Sequence, residues 1–512
     1  MNDNSLNNHF LDNLLNPNSI ALYGANENLM SNMGSQQLLN ILDNGYKGRV
    51  YPIHLKLDEV MGLKAYRSIA DVPEIPDLAI VILPKRVVPS VFEEIGDKGV
   101  KNVVLVTAGF REVDDESGEA ELNRLAQKYG FRFLGPNCLG FQNTHTIYSE
   151  DLDKTCILNF TWVNYKTAPG NVSIASQSGT FASHVNFLME ERDLNMDKCL
   201  SIGNEANIDM CDCLEYFGQC RYTDVILLYI EEIKRGRLFF DLVKKISVKK
   251  PIIALYVGGS EGGATAVSSH TGSMAGNDAI FDGLFEQTGI IRVSTVEELM
   301  NTATVFSKFI PKDAIPTSKR IGIVTNAGGP GATMADRASR LGLEIPSFSE
   351  NLQKKLKKFL PATAQGEQAA NPLDYTFSID PSTFFNRVPK IIARSGEVDA
   401  IVVYGAYGPG FFTYESIGNE FIQRPKSKKM IHMYMQMFEG AVDSSRRIVK
   451  KYKVPVVYVN MLGHLRDPVV DYLNKKGFPT FRYPHEAVDA MKNLIDYGSY
   501  LAQKKEIDSE ED

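Results

Sequence analysis

The chain has 512 residues, of which 44% are hydrophobic and 23% charged. That is the make-up of an ordinary globular protein, too long for one core and sized for about three domains. A net charge of −7 argues against nucleic acid as the main partner but leaves room for an anionic ligand at a helix N-terminus or a local cation.

No apolar run reaches the ~20 residues that cross a bilayer. The N-terminus, "MNDNSLNNHF", lacks the pattern of a signal peptide. Six cysteines, Cys138, Cys156, Cys199, Cys211, Cys213 and Cys220, form no CxxC pair, so reduced thiols are expected rather than a zinc site. These features lead to the expectation of a cytoplasmic protein with no membrane segment and no bound metal of its own.

Short β-branched runs alternate with amphipathic stretches throughout. In chain order the runs are "SIALYG", "DLAIVILP", "NVVLVTAG", "FRFLG", "NVSIASQSG", "VILLYIEE", "PIIALYVGG", "RIGIVTNAGG", "AIVVYGAYG" and "VPVVYVNM". Continuous apolar strands between helices predict parallel α/β sheets covered on both faces. Breaks are expected at "NYKTAPGN" (164–171) and "IPKDAIPTSKR" (310–320). They divide the chain into domains 10–160, 170–310 and 319–502, with 503–512 as a disordered acidic tail. Each domain opens alike: "SIALYGAN", "NVSIASQSG" and "RIGIVTNAGG" each read as a strand running into a Gly/Ser loop and then a helix.

Ligands of open α/β sheets bind at the carboxyl ends of strands, so the strand ends are the candidate sites. The loop after "SIALY" leads from Gly24 toward a helix near Gly34, a geometry that suits a nucleotide or CoA phosphate but equally a tight turn. It lacks the GxGxxG spacing, and Glu27 lies within it. Thr107, Ala108 and Gly109 cap another strand, and "GPNCLG" (135–140) sets a turn. At "SQSGT" (176–180), Ser178, Gly179 and Thr180 would form the first turn of a helix, either as an anion site or as plain capping. Glu231 and Glu232 end an apolar strand and would face opposite ways. One of them could orient an imidazole, or both could pair with Lys234, Arg235 or Arg237. In "GGSEGGATAVSSHTGSMAGND" (258–278), His270 stands alone among small residues. No HxH, HxxxH or HExxH spacing supports a metal there, and no GxSxG elbow supports a hydrolase.

The ordered set "YGANE…MG", "YPIHLK", "DLAIVILP", "TAGF", "LGPNCLGFQNT", "GNVSIASQSGT", "SIGNEANID", "VILLYIE", "SSHTGSMAG" and "IVTNAGGPG" resembles the α subunit of NDP-forming acyl-CoA synthetases, the ADP-forming acetyl-CoA synthetase type within the succinyl-CoA synthetase superfamily. The likeness runs from about residue 12 to residue 500. It implies a Rossmann-like CoA-binding domain followed by two flavodoxin-like (succinyl-CoA synthetase-like) α/β domains. By position, CoA contacts would fall on Gly24, Ala25, Asn26, Lys56, Pro84, Thr107, Ala108 and Gly109. Ser178, Gly179 and Thr180 would hold phosphate, His270 would be transiently phosphorylated, and Glu231 would orient it.

The reaction implied interconverts acyl-CoA, ADP and phosphate with carboxylic acid, ATP and CoA through an acyl phosphate and a phosphohistidine. A hetero-oligomer with an ATP-grasp β subunit carrying Mg²⁺ and ADP/ATP is the matching partner. The pattern departs at Glu27, Glu205 and Gly259, where the family often carries a basic residue; these changes would weaken phosphate binding if the positions face the ligand. A CoA- or acyl-CoA-binding regulatory subunit and a related acyl or carbamoyl transferase are the alternatives on this scaffold.

Overall fold

The computed structural model describes residues 9–148, 154–271, 277–360, 370–376, 378, 380–405, 420, 423–461 and 468–511, without the side chains of 268–271, 508, 510 and 511. The chain divides into two compact units, one built from residues 1–190 and 194–294 and the other from 191–193 and 295–512.

The first unit holds two large sheets and a small hairpin. Strands β1 (Ser19–Tyr23), β2 (Arg49–Ile53), β5 (Leu78–Val81), β6 (Asn102–Leu105) and β7 (Arg132–Leu134) form a parallel sheet in the order β2-β1-β5-β6-β7, while β3 (Glu59–Val60) and β4 (Leu63–Lys64) make the hairpin. Every residue of β1, β5 and β6 is buried, as expected for strands covered on both faces.

The second sheet contains β8 (Phe141–Ile147), β9 (Thr155–Asn159), β10 (Val172–Ser176), β11 (Met196–Ser201), β12 (Val225–Ile230), β13 (Ile252–Tyr256) and β14 (Ile291–Val293). Its order is β14-β13-β12-β10-β11-β8-β9, with β8 and β9 antiparallel. The second unit has one parallel sheet of β15 (Ile321–Thr325), β16 (Leu373–Asp374), β17 (Ala400–Tyr404), β18 (Val456–Val459) and β19 (Thr480–Phe481), in the order β16-β15-β17-β18-β19.

Counted from its first parallel strand, each large sheet has the order 2-1-3-4-5. In such a doubly wound sheet, successive connections leave the first strand in opposite directions and open a crevice at its carboxyl end. The three sequence openings "SIALYGAN", "NVSIASQSG" and "RIGIVTNAGG" are those first strands, β1, β10 and β15. All ten apolar runs read from the sequence are strands.

The elements change sheets elsewhere than at the expected breaks. Residues 141–159, within the expected 10–160 domain, pair with the second sheet through β8 and β11. "NYKTAPGN" is therefore a loop inside that sheet's chain, and the Asn40 side chain binds the carbonyls of Thr161 (2.5 Å) and Val163 (2.8 Å) just ahead of it. Helix Val296–Phe309, within the expected 170–310 domain, belongs to the second unit. There it packs on helix Pro484–Glu511, where Asn493 donates to Thr302 Oγ1 at 2.8 Å and the Phe306 and Tyr497 rings meet at 5.6 Å.

The C-terminal segment differs too. Helix Pro484–Glu511 continues through all but the last residue of the expected disordered tail. Once its packed turns are formed, each further residue adds a bond at little cost, and Lys, Glu and Ile do not interrupt it. No helix among the described residues is long and apolar enough to cross a membrane.

Candidate active site

The crevice of the first sheet begins at Gly24, where β1 ends. Its φ is +97°, and a Cβ there would sit 2.1 Å from the Ile82 carbonyl oxygen, so only glycine lets the loop pass β5. The following helix, Met33–Asp43, comes equally close: a Cβ on Gly34 would lie 2.8 Å from the Gly24 carbonyl carbon. Asn26 shapes the loop, accepting from Asn28 N–H (2.7 Å), while Ser35 Oγ donates to the Asn26 carbonyl (2.7 Å). Glu27 is directed to the β3–β4 hairpin, where it accepts from Met61 N–H at 2.8 Å.

A cavity of about 470 Å³ opens beside this crevice. From the first sheet it takes Met33, Ile82, Leu83, Pro84, Thr107 and Ala108, and from the second Gln177, Ser178, Gly179 and Thr180. "GPNCLG" contributes Asn137, Cys138 and Leu139. The strand-end residues expected to meet CoA and those expected to meet phosphate thus share one space. Thr107 joins two of the strand ends, since its Oγ1 donates to the Leu83 carbonyl at 2.7 Å and its carbonyl accepts from Asn137 N–H at 3.0 Å. Cys138 is structural: burial pushes its thiol up to about 12, and it donates to the Leu105 carbonyl.

Other expected CoA residues do not line this cavity. Gly24, Ala25 and Asn26 build the loop beside it, and Lys56 is exposed on the segment after β2, its N–H held by His54 Nδ1 at 3.1 Å. The N–H of Gly109 donates to the Glu112 carboxylate within the chain. Burial pushes Glu112 up, but that bond and one from Asn204 outweigh it and hold the group below its usual range.

Ser178 precedes helix Gly179–Glu190, whose first N–H groups have no partner within the helix and carry the positive end of its dipole. Gly179 is needed for close packing, because a Cβ there would meet the Leu139 side chain at 2.8 Å. Ser176 Oγ donates to the Ser178 carbonyl at 2.7 Å and holds the turn. β10 and β12 are neighbours on either side of the chain reversal, so this helix start lies where a doubly wound sheet places its ligand.

Glu231 and Glu232 follow β12 and diverge as strand geometry predicts. Glu231 is 5% exposed, whereas Glu232 pairs with Arg111 at 3.5 Å. The neighbouring cations serve other partners. Lys234 donates to the carbonyls of Asn204 (2.7 Å) and Glu205 (2.8 Å), and Arg235 binds Asp209 and Asp212.

Nothing in the sequence signals the group that ties these loops together. Gln177 Oε1 accepts from the N–H groups of both Glu231 and Glu232, and its Nε2 donates to Glu205 Oε2 at 2.8 Å. Glu205, 4% exposed, is thus a structural acceptor rather than a charge facing the cavity. Burial pushes its carboxyl up to about 7, opposed by Lys234 and the Gln177 bond.

His270 belongs to helix Glu261–Thr271, which lies against the turn Arg111–Val113. Its side chain falls outside the described residues, as does the "GSMAG" segment that follows. At Gly259 a lysine would displace Asp278, whose Oδ1 would be 1.9 Å from the added Cβ and which binds Arg292 at 2.5 Å. Among the described residues no cluster of three or more His, Cys, Asp or Glu is arranged to hold a metal ion.

Residues 18–144 match the CoA binding domain family, and residues 169–306 match the succinyl-CoA ligase like flavodoxin domain family. The α subunit of acetate–CoA ligase (ADP-forming) II from Pyrococcus furiosus is 34% identical over 490 residues, covering 95% of this chain and 97% of that subunit. The chain belongs to the NDP-forming acyl-CoA synthetase family.

Its likeness is to separate α subunits along nearly their whole length. By contrast, it spans 48% of the acetate–CoA ligase (ADP-forming) of Methanocaldococcus jannaschii, at 40% identity over 358 residues. The solved dinucleotide-forming acetyl-coenzyme A synthetase 1 of Ca. Korarchaeum cryptofilum, in complex with phosphate and ADP, is 31% identical. It superposes with a TM-score of 0.80 over 97% of this chain and 98% of its own. Within this family the first sheet is the CoA-binding domain, and the second is the ligase's flavodoxin-like domain.

Proposed function

We propose that this α subunit works with an ATP-grasp β subunit as an acid–thiol ligase. In the direction of ATP formation, phosphate displaces CoA from acyl-CoA, giving an acyl phosphate and free CoA. His270 then takes the phosphoryl group, releasing the carboxylic acid, and passes it to ADP. Each step is a transfer between neighbours held in place, so the protein supplies positioning and charge stabilisation.

Pro84, Thr107 and Ala108 would meet CoA in the cavity, with Gly24, Ala25 and Asn26 shaping its mouth and Lys56 and Gly109 farther along the pantetheine or nucleotide. Ser178, Gly179 and Thr180 would hold the phosphoryl group at the helix start, and Glu231 would orient His270. Mg²⁺ and ADP or ATP would belong to the partner, and the complex would work in the cytoplasm.

The observation that carries this reading is the single cavity lined both by the strand ends of the CoA-binding domain and by the helix start at Ser178–Thr180. Glu27, Glu205 and Gly259 do not line that cavity and have partners or neighbours elsewhere.

The test is to give the chain and its partner acyl-CoA, ADP, Mg²⁺ and phosphate, and to follow free thiol and ATP together. Equal yields of CoA and ATP are expected for the wild type, and His270→Ala, which still permits the first displacement of CoA, should form no ATP. Acyl-CoA binding without ATP formation would overturn the reading in favour of a regulatory subunit.

A further inference from the structure

Gln177 lines the cavity yet is only 7% exposed, and the proposed chemistry gives it no part. Its amide is fully engaged. Oε1 accepts from the N–H groups of Glu231 and Glu232, the latter at 3.0 Å. Nε2 donates to Glu205 Oε2 and to the Glu232 carbonyl, both at 2.8 Å. Its backbone N–H extends the β10–β12 ladder to the Tyr229 carbonyl at 3.3 Å.

Three strand-end loops, those after β10, β11 and β12, meet on this one group. The amide has a single workable orientation: turned over, its NH₂ would face two N–H donors and its oxygen a carboxylate. Glu205 enforces that orientation above about pH 7, where it is ionised and can only accept, its other oxygen being taken by Met210 N–H at 2.8 Å.

We propose that Gln177, oriented by Glu205, is a positioning residue that fixes the Glu231–Glu232 peptide and so the point from which Glu231 presents its carboxylate. This rests on the role given to Glu231 above. Acting through Glu231, Gln177 should govern phosphoryl uptake rather than CoA affinity, and its loss should cost nothing further once Glu231 is gone.

The charged groups facing Glu205 are Lys234 and Asp209, the latter neutralised by Arg235. A glutamate at 177 would set a second carboxylate against Glu205 in this buried place. Such a pair shares a proton, so the clamp would re-form as the pH falls.

The experiment uses the full chain with its ATP-grasp partner, labelled ATP and Mg²⁺, and measures the rate of acid-labile, base-stable labelling beside CoA affinity by calorimetry. Gln177→Ala should slow labelling at least about tenfold while leaving the CoA Kd within about twofold. Gln177→Glu should be equally slow above about pH 8 and regain rate relative to wild type below about pH 6.5. The double variant Gln177→Ala/Glu231→Ala should label no more slowly than Glu231→Ala alone.

Wild-type rates in Gln177→Ala, losses that multiply in the double variant, or no regain in Gln177→Glu would each overturn the proposal. If Gln177→Ala does not fold, the pH response of Gln177→Glu decides. A wild type that takes no label overturns the phosphohistidine reading itself, and this inference with it.

Discussion

Glu205→Gln removes a carboxyl that burial pushes up to about 7 from its ordinary 4.5. At about 1.36 kcal/mol per unit, holding this buried group ionised costs the folded state on the order of 3 kcal/mol. Because the folded pKa is raised, the folded chain binds more protons than the unfolded chain between about pH 4.5 and 7. The stabilising contribution is therefore complete below pH 4.5 and lost as the pH rises through 7. Glutamine does not titrate, and it gives up one of the two acceptor bonds, a loss of about 1 kcal/mol at every pH.

The stability of wild type minus that of Glu205→Gln should accordingly fall by on the order of 3 kcal/mol between about pH 4.5 and 8. Guanidinium unfolding followed by fluorescence reads this well, because the only tryptophan, Trp162, lies in the first unit and reports that unit apart from the second. A difference independent of pH to within about 0.5 kcal/mol would refute the burial argument for Glu205.

Gly24→Ala forces a Cβ to within 2.1 Å of the Ile82 carbonyl at a φ of +97°. It should lower first-unit stability by about 2 kcal/mol or more and abolish CoA binding in calorimetry. Thr180→Glu puts a carboxylate in the first turn of helix Gly179–Glu190. It should raise stability by up to about 0.5 kcal/mol through the helix dipole yet cut phosphohistidine labelling at least about tenfold by repelling phosphate. Asp197→Asn leaves Lys198, 2% exposed, without its 2.8 Å carboxylate partner and should cost about 3–5 kcal/mol in the same fluorescence assay. Burial works against the Asp197 charge, but Lys198, His145 and Thr223 hold it well below the usual range. Its contribution is thus present at neutral pH and fades as acid approaches the folded value.

The parts of the fold legible in the sequence were those written locally. Ten apolar strands announce themselves because parallel strands are apolar on both faces, and the three glycine-bearing openings each begin a 2-1-3-4-5 sheet. β11 was hidden because Asp197 and Lys198 interrupt "MDKCLS", and only the tertiary fold shows that the two charges satisfy each other. The sheet membership of β8 and β9 was hidden for a related reason: β9 joins through β8, and the partner of β8, β11, lies more than fifty residues on in the chain, at Lys198–Leu200 opposite Phe141–Asn143.

At the site, "SQSGT" and the strand-end Thr107 and Ala108 were readable as types of ligand-binding turn, and the structure brings them to one cavity. Gln177 was not readable, since a neutral amide between two serines carries no signal and its partners lie 28 and 54 residues away. Glu205 was read as a misplaced charge for the same reason, because only its burial against Gln177 and Met210 reveals an acceptor.

The account turns on one covalent bond. After brief exposure of the chain and its partner to γ-labelled ATP and Mg²⁺, the labelled chain is digested at alkaline pH and the phosphopeptide sequenced by mass spectrometry. The phosphoryl group should sit on His270, leave in acid and appear in acyl phosphate when carboxylic acid is added. A label on any other residue, or equal labelling of His270→Ala, would contradict the account.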